Sequence, residues 1–501
     1  MRFKFIALAV MFIISGLFAS EFASFADNVH EYELDNGMKV LILPRHNSPT
    51  AAFVNYVDIG SINEFAGQSG AAHFLEHLAF KGTHTVGTTN YKKEAKAIEA
   101  LDEAFMEWWN YSRTDSPDSS KLQKLRQEFK NRQEEALSYS VENEFGIIYS
   151  TNGGVGLNAY TSYDQTVYHV RLPSNKYELW CALESDRLKN PVFRQFYKER
   201  EVIQEERFMR IEDNPPSLLS EEFSGVFYKA FPYRDHIIGH WSEMSQIMRP
   251  DIQNFYDEYY HPANMTLAIV GDVDPDEMFD MIDDYFGNIP SKEPVSKLRT
   301  EEPEARTAKT VTLYDNARPF AMIGYQGPSA SDEDFIPTYM MMSILGSGKT
   351  SRLWKRLVIE EQTALWAFSY ARSSKYPSYL GIHVYPQMDI DSDSLIPIVD
   401  EEIQKLIDSP PSQEELDKVR SRYKADFIYD LSSNESMAIQ LATHENVNGN
   451  WHKLFAKIEK MNGVTPEDIQ EMAKKYLDTP YRTVGQLKPP LEQVSAEEVS
   501  K

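Results

Sequence analysis

The chain has 501 residues, 42% hydrophobic and 25% charged, a composition that describes a globular protein long enough to hold two or more separate cores. Its formal net charge of −25 argues against a nucleic-acid surface, which needs Lys and Arg in excess, and weakly favours basic substrates. A single cysteine, Cys181, excludes an intrachain disulfide and reads as core.

Residues 1–26 read as a secretory signal peptide. Arg2 and Lys4 precede the apolar run Phe5 to Phe18, and Ser24-Phe25-Ala26 offers a small-x-small cleavage site. The run is too short to span a membrane, and no later segment is long and apolar enough to do so. The expected destination is a periplasm, with release outside the cell as the alternative.

Glu31-Tyr32-Glu33-Leu34 and Met38 to Leu43 flank Asp35-Asn36-Gly37, a strong hairpin signal, and Ala51 to Ile59 reads as a third strand. Next comes Gly70-Ala71-Ala72-His73-Phe74-Leu75-Glu76-His77-Leu78, a Pro-free apolar stretch that suits a buried helix. On a helix His73 and His77 share one face, so two imidazole nitrogens can bind a metal. Glu76 stands beside them, able to reach a water at that metal and take its proton. This H-x-x-E-H order is the inverzincin motif. Two His and a Glu are costly to bury in an apolar helix without a purpose.

The chain from Tyr91 to about Tyr139 is charged and helical, broken at Thr114-Asp115-Ser116-Pro117, and predicts a solvated antiparallel helical arm at about 91–140. Gly153-Gly154-Val155-Gly156 leads through Leu157-Asn158-Ala159-Tyr160-Thr161 towards the strand Thr166 to Leu172. Gly-rich approaches of this kind mark a strand edge where a peptide can pair. In the helix expected from Gln195 to Ile211, Glu199 and Glu206 lie two turns apart on one face, which most often means a solvated face.

Two segments repeat. Asp251-Ile252-Gln253 and Asp468-Ile469-Gln470 each begin a helix that ends in a Tyr, at Tyr259 and Tyr476, and Thr465 with Asp468 forms a capping box. Leu34-Asp35-Asn36 likewise resembles Tyr314-Asp315-Asn316. The repeats predict an internal duplication: a zinc-binding domain at 27–285, a linker at 286–307, a homologous non-catalytic domain at 308–490 and a tail at 491–501. Where the second copy should carry its metal helix, Met340-Met341-Met342-Ser343-Ile344-Leu345-Gly346 has no His or Glu. Each copy runs from strands into helices, so the fold class is α+β, a mostly antiparallel sheet packed with helices.

His73-Phe74-Leu75-Glu76-His77, Leu157-Asn158-Ala159-Tyr160-Thr161, Glu199 to Glu206, Pro262-Ala263-Asn264-Met265-Thr266 and Ser347 to Leu353 together resemble the zinc metallopeptidases of the pitrilysin, insulinase and mitochondrial processing peptidase family. The resemblance covers nearly the whole chain after the signal. It implies that Glu206 is the third Zn2+ ligand beside His73 and His77, with Glu205 its easily confused neighbour. Glu76 is then the catalytic base, and Glu199 a supporting active-site carboxylate. It also implies paired domains around a chamber, in which a peptide substrate lies as an added strand along Asn158, Ala159 and Tyr160. The function expected is zinc-dependent endopeptidase action, the alternative a peptide-holding or assembly subunit that does not cleave.

Two departures stand out. The interval from His77 to Glu206 is longer than is usual in the family, and the helical arm accounts for the excess. After the Ser351-Arg352-Leu353 run, the Arg and Tyr seven apart that the family uses to hold substrate are replaced by Val358 and Leu365. The resemblance then implies a partner: a second homologous, zinc-less subunit, or a homodimer, supplying that pair. Gly346-Ser347-Gly348-Lys349-Thr350-Ser351 superficially suggests a nucleotide loop, but the P-loop pattern requires Gly where Ser343 stands, so no nucleotide is expected.

Overall fold

The computed structural model of the chain describes residues 25–388 and 390–490; the expected signal at 1–26, save its last two residues, and the tail 491–501 lie outside them. Among the described residues no helix is long and apolar enough to cross a membrane. The chain forms two compact units, one from Val29–Glu206 with Ile237–Ser296, the other including Arg207–His236 and the chain from Lys297 onward.

In the first unit β1 (His30–Glu33) and β2 (Lys39–Pro44) form the expected hairpin, with Gly37 at φ 85° donating its N–H to the Leu34 carbonyl. The left-handed turn explains the glycine. With β3 (Thr50–Val57), β4 (Val155–Thr161), β5 (Thr166–Pro173) and β6 (Met265–Gly271) they build a six-stranded sheet in the order β1-β2-β6-β3-β5-β4. Only β2 and β6 run parallel. The central strands β3 and β6 are buried almost throughout, which is why they read as continuous apolar runs rather than alternating ones. Trp180, on the helix Tyr177–Lys189, seats against Phe53 of β3 and Phe286 of the helix Pro275–Phe286. Cys181 beside it is fully buried, and burial pushes its thiol pKa up, so it is core as expected.

The second unit repeats the plan. Strands β7 (Lys309–Tyr314), β8 (Phe320–Gln326), β9 (Ala364–Ala371), β10 (Tyr379–Pro386) and β11 (Thr483–Lys488) give the order β7-β11-β8-β10-β9, again with one parallel pair, β7 and β11. The two orders match strand for strand, β2 with β7, β6 with β11, β3 with β8, β5 with β10 and β4 with β9; β1 is extra. The duplication predicted from Asp251 and Asp468 is therefore a duplication of topology: the helices Arg249–Tyr259 and Pro466–Tyr476 precede β6 and β11 respectively. The pairing of Leu34-Asp35-Asn36 with Tyr314-Asp315-Asn316 is corrected. The first precedes β2, whereas the second follows β7, the counterpart of β2.

The compact units also depart from the sequence halves. The helix Pro215–Phe227 lies in the second unit, across β7 and β11. Phe223 fits there because Gly324 and Gly485 present no side chain; a Cβ at either would come within 3.0 Å of its ring. Burying Phe223 and Phe227 on that glycine-flattened face is what takes residues 207–236 out of the expected 27–285 stretch.

Candidate metal centre

The helix Ala71–Leu78 begins at Gly70, which stands at φ 93° with its Cα so close to Ile238 that an added Cβ would lie 2.3 Å from that carbonyl oxygen. No side chain at Gly70 caps the helix. Instead the Glu64 carboxylate accepts from the Gly70 and Ala72 N–H groups at 2.9 and 2.8 Å, satisfying orphan donors and placing negative charge at the positive end of the dipole. One turn in, His73 and Glu76 are buried, and His77 is partly so. Phe74, on the flank of the His pair, stacks on Phe196 at 4.7 Å and so holds the start of the helix Phe196–Arg207 beside the motif.

That second helix delivers Glu206. Its Oε2 lies 3.7 Å from His73 Nε2 and 3.3 Å from His77 Nε2, and donor atoms of the three residues all fall within 4.8 Å of one another. Ligands about 2.0–2.1 Å from a tetrahedral ion stand about 3.3–3.4 Å apart, so this donor set fits one metal ion with a fourth position left for another ligand. Glu205 is exposed and outside the cluster, which separates it from its neighbour.

Glu199 sits where the helical spacing put it. Its Oε1 meets His77 Nδ1 at 2.9 Å, and its Oε2 meets Lys81 Nζ at 2.5 Å. With Nδ1–H donated to Glu199, the Nε2 lone pair is left for the metal side, the outer-shell arrangement of metal-ligating histidines. Burial opposes a charge on His77, but Glu199 and Glu206 outweigh it and raise its pKa to about 9 in the metal-free chain. Burial also resists ionisation of Glu199, but His77 and Lys81 prevail and lower its pKa. Glu76 goes the other way: burial raises its pKa, against the bond it accepts from Thr161 Oγ1 at 2.6 Å. A carboxylate raised in this way is a better proton acceptor than a solvated one.

Thr161 ends β4, and β4 is the outermost strand of its sheet. Asn158, Ala159 and Tyr160 pair on one side with His169, Tyr168 and Val167 of β5. The register breaks between Val155 and Asn158, so the Gly-rich approach marks an irregular edge, and that edge runs directly to the residue holding Glu76.

The sequence reading assigned no role to Lys81, Thr161 or Glu64. Lys81 carried a signal, since it stands one turn beyond His77. Thr161 and Glu64 act through tertiary contacts that no local spacing reveals.

The remaining sequence features fall in the second unit. The helix Phe335–Gly346 follows β8 as Ala71–Leu78 follows β3, and Met340, Met341 and Met342 are fully buried in its core. Gly346-Ser347-Gly348-Lys349 therefore follows a helix rather than the strand a phosphate loop requires. Val358 lies in the π-helical turn Trp354–Glu360, partly buried against the core, while Leu365 is 38% exposed on β9.

An inverted His-x-x-Glu-His helix completed by a distant Glu, on one copy of a duplicated α+β plan, defines the inverzincin class of sites. Two family models match the chain: "Insulinase (Peptidase family M16)" over residues 39–112 and 138–240, and "Peptidase M16 inactive domain" over 246–423. The chain belongs to peptidase family M16, the pitrilysin and insulinase family. The unmatched interval 113–137 contains the whole second helix of the arm, whereas the first, Tyr91–Ser112, lies inside the matched stretch, so the insertion expected at about 91–140 is confined to 113–137. Among its relatives, a Helicobacter pylori protein named zinc protease PqqE is 26% identical over 412 residues, 81% of this chain and 80% of its own. The mitochondrial-processing peptidase subunit beta of Lentinula edodes is 24% identical over 460 residues, covering 89% and 86%. The crystal structure of a protease from Helicobacter pylori shares the fold with a TM-score of 0.77 at 24% identity, over 92% of this chain and 99% of that one.

Proposed function

We propose that this chain is a zinc-dependent endopeptidase that cleaves peptides or unfolded segments lying as an added strand along β4. The observation that carries the reading is the convergence of His73, His77 and Glu206 beside Glu76, with Glu76 tied by Thr161 to the end of that edge strand. The names of the relatives support it.

Zinc bound by the three donors would supply a Lewis acid for the scissile carbonyl and lower the pKa of a water molecule. Glu76 then takes the proton of the attacking water and returns it to the leaving amine. Thr161 orients the Glu76 carboxylate from one side. Glu199, held by Lys81, keeps His77 in the tautomer that presents Nε2. The edge of β4 offers backbone donors and acceptors to an extended peptide, which would bring its carbonyl to the Thr161 end.

Val358 and Leu365 motivate a second element of the reading: a homologous, zinc-less subunit, or a second copy, contributes the Arg and Tyr that this chain lacks. Full peptide-cleaving rate from the isolated monomer at low concentration would rule that element out. Residues 1–26 read as an export signal, so the protein is expected in the periplasm or outside the cell; N-terminal sequencing of the mature protein from its native source tests this.

The direct test is metal analysis together with cleavage of an unstructured peptide. One zinc per chain, activity lost to a chelator and restored by zinc, are the expected results. A zinc-bearing protein that holds peptides and never cleaves them would support the non-cleaving subunit instead.

A further inference from the structure

The helical arm, Tyr91–Ser112 and Ser119–Leu137, lies between the ligands in the chain, and the contacts of its first helix are not those of a solvated appendage. Its first turn carries Glu94, which is fully buried and paired with Arg194, itself 2% exposed. Arg194 donates from Nε and Nη2 to the two Glu94 oxygens at 2.8 and 3.1 Å. The rest of its fork goes to the carbonyls of Lys81, Thr83 and Val86, at 2.6, 2.7 and 3.0 Å. Gly82 and Gly87, at φ 102° and 84°, make room for it; a Cβ on either would stand 2.7 Å from its Nη1. One guanidinium therefore joins three segments: the loop leaving the metal helix, the first turn of the arm, and the start of the helix that carries Glu199 and Glu206.

Two further grips follow along that helix. Asp102 of the arm accepts from Tyr197 Oη at 2.9 Å, and its other oxygen from Arg249 Nε at 2.7 Å. Arg200 lies over the Phe105 ring of the arm at 4.7 Å, and the Phe105 and Tyr197 rings meet at a tilt, 4.3 Å apart. At 100° per residue Tyr197 faces away from Glu199 and Glu206, and Arg200 lies on the flank between. The arm holds the back of the ligand helix while its front supplies the metal ligand.

We propose that the arm is a brace that fixes the register of the ligand helix against the metal helix, with Glu94, Arg194 and Asp102 as positioning residues for Glu206. The proposal rests on the metal-site reading above. It gives the first helix of the arm a role: the chain that separates His77 from Glu206 also sets the distance between them. Outer-shell groups that orient ligands typically change metal affinity by about 10–100-fold when removed.

The test is a double-mutant cycle read as zinc affinity, by competition with a chromophoric chelator, on the wild type, Glu94→Gln, Glu206→Gln and the double variant. The expected result is a loss of about 10-fold for Glu94→Gln when Glu206 is present and no further loss when Glu206 is already Gln. Wild-type affinity in a folded Glu94→Gln protein, or the same loss with and without Glu206, overturns the brace. Circular dichroism of the metal-free proteins establishes folding. If Glu94→Gln does not fold, Asp102→Asn, which loosens a more exposed contact, carries the same cycle, and an unchanged affinity there also overturns the proposal. Failure of the wild type to bind zinc would instead strike at the metal-site reading, so the two failures are distinguishable.

Discussion

Glu199→Gln tests the outer shell directly. The Glu199 carboxylate faces two donors, His77 Nδ1–H at 2.9 Å and the Lys81 ammonium at 2.5 Å, in a position only 7% exposed. The two donors meet different oxygens of Glu199, and a glutamine in the same place offers one carbonyl oxygen and one NH2, so it cannot accept at both positions. If its oxygen stays on His77, the ammonium meets an NH2 group; if it turns to Lys81, the His77 ring loses its tether. Either arrangement weakens one of three ligands, and the expected loss is about 10–100-fold in zinc affinity, or about 1.4–2.7 kcal/mol. Removing Lys81 as well should restore part of the loss, because the amide oxygen is then free for His77. The assay is chelator competition at fixed pH and salt on wild type, Glu199→Gln, Lys81→Met and the double variant, with folding checked by circular dichroism. Wild-type affinity in Glu199→Gln, or a double variant weaker than Glu199→Gln alone, refutes the tautomer argument.

Other changes have equally definite outcomes. Glu76→Gln should retain zinc and reduce kcat for peptide cleavage by about 10²–10⁴-fold, and retained activity would remove Glu76 from its role. Gly70→Ala forces a side chain at φ 93° and into the Ile238 carbonyl, so a stability loss of at least about 2 kcal/mol is expected in denaturant titration. His383 is partly buried and His444 buried, and desolvation lowers the pKa of each to about 4, against 6.5 when exposed. The unfolded chain binds the extra protons between these values, so stability is lost as pH falls from 6.5 towards 4, by about 2 kcal/mol per histidine at pH 5. His383→Phe should flatten the pH dependence of urea unfolding below pH 6.5, and an unchanged slope would show that His383 is not held neutral.

Elements fixed by local spacing were readable. Asp35-Asn36-Gly37 made its turn because a left-handed glycine between alternating strands leaves few other choices. His73, Glu76 and His77 formed their helix, and the arm broke close to Thr114-Asp115-Ser116-Pro117, because helical period and breakers are local signals. Glu206 was named only through family resemblance: from periodicity alone the Glu-rich face of its helix is indistinguishable from a solvated one. The shift of residues 207–236 into the second unit depended on Phe223 meeting Gly324 and Gly485, a pairing between distant segments. The match of Asp315-Asn316 to Asp35-Asn36 failed because β1 has no counterpart in the second copy, so similar turns stood one strand out of register. The arm looked solvated because its charged faces dominate its composition, while the few residues that matter, Glu94, Asp102 and Phe105, find their partners about a hundred residues away.

The two copies show what the metal centre demands beyond the fold. In each, a helix follows the third strand of the shared plan and lies near a helix that comes second after the fourth, Ala71–Leu78 with Phe196–Arg207 and Phe335–Gly346 with Gln413–Ser432. In the second copy the slot needs no charge: Met340, Met341 and Met342 fill it, and Glu415 of the later helix pairs with Arg352 outside the motif position. In the first copy, two imidazoles and a carboxylate occupy an eight-residue helix, and burying them would be unfavourable if they stood alone. Compensation comes from outside that helix, through Glu64 at its N-terminus, Glu199 and Glu206 from the facing helix, Lys81 just beyond it, and Thr161 from the sheet edge. A chain that lost His73 or His77 would thus keep several buried charges without partners, whereas one that replaced the whole set with methionine would keep a sound core. The second copy has the latter form, consistent with a duplication in which the site was lost as a set, while the first retains the entire network and with it the means to hold a metal.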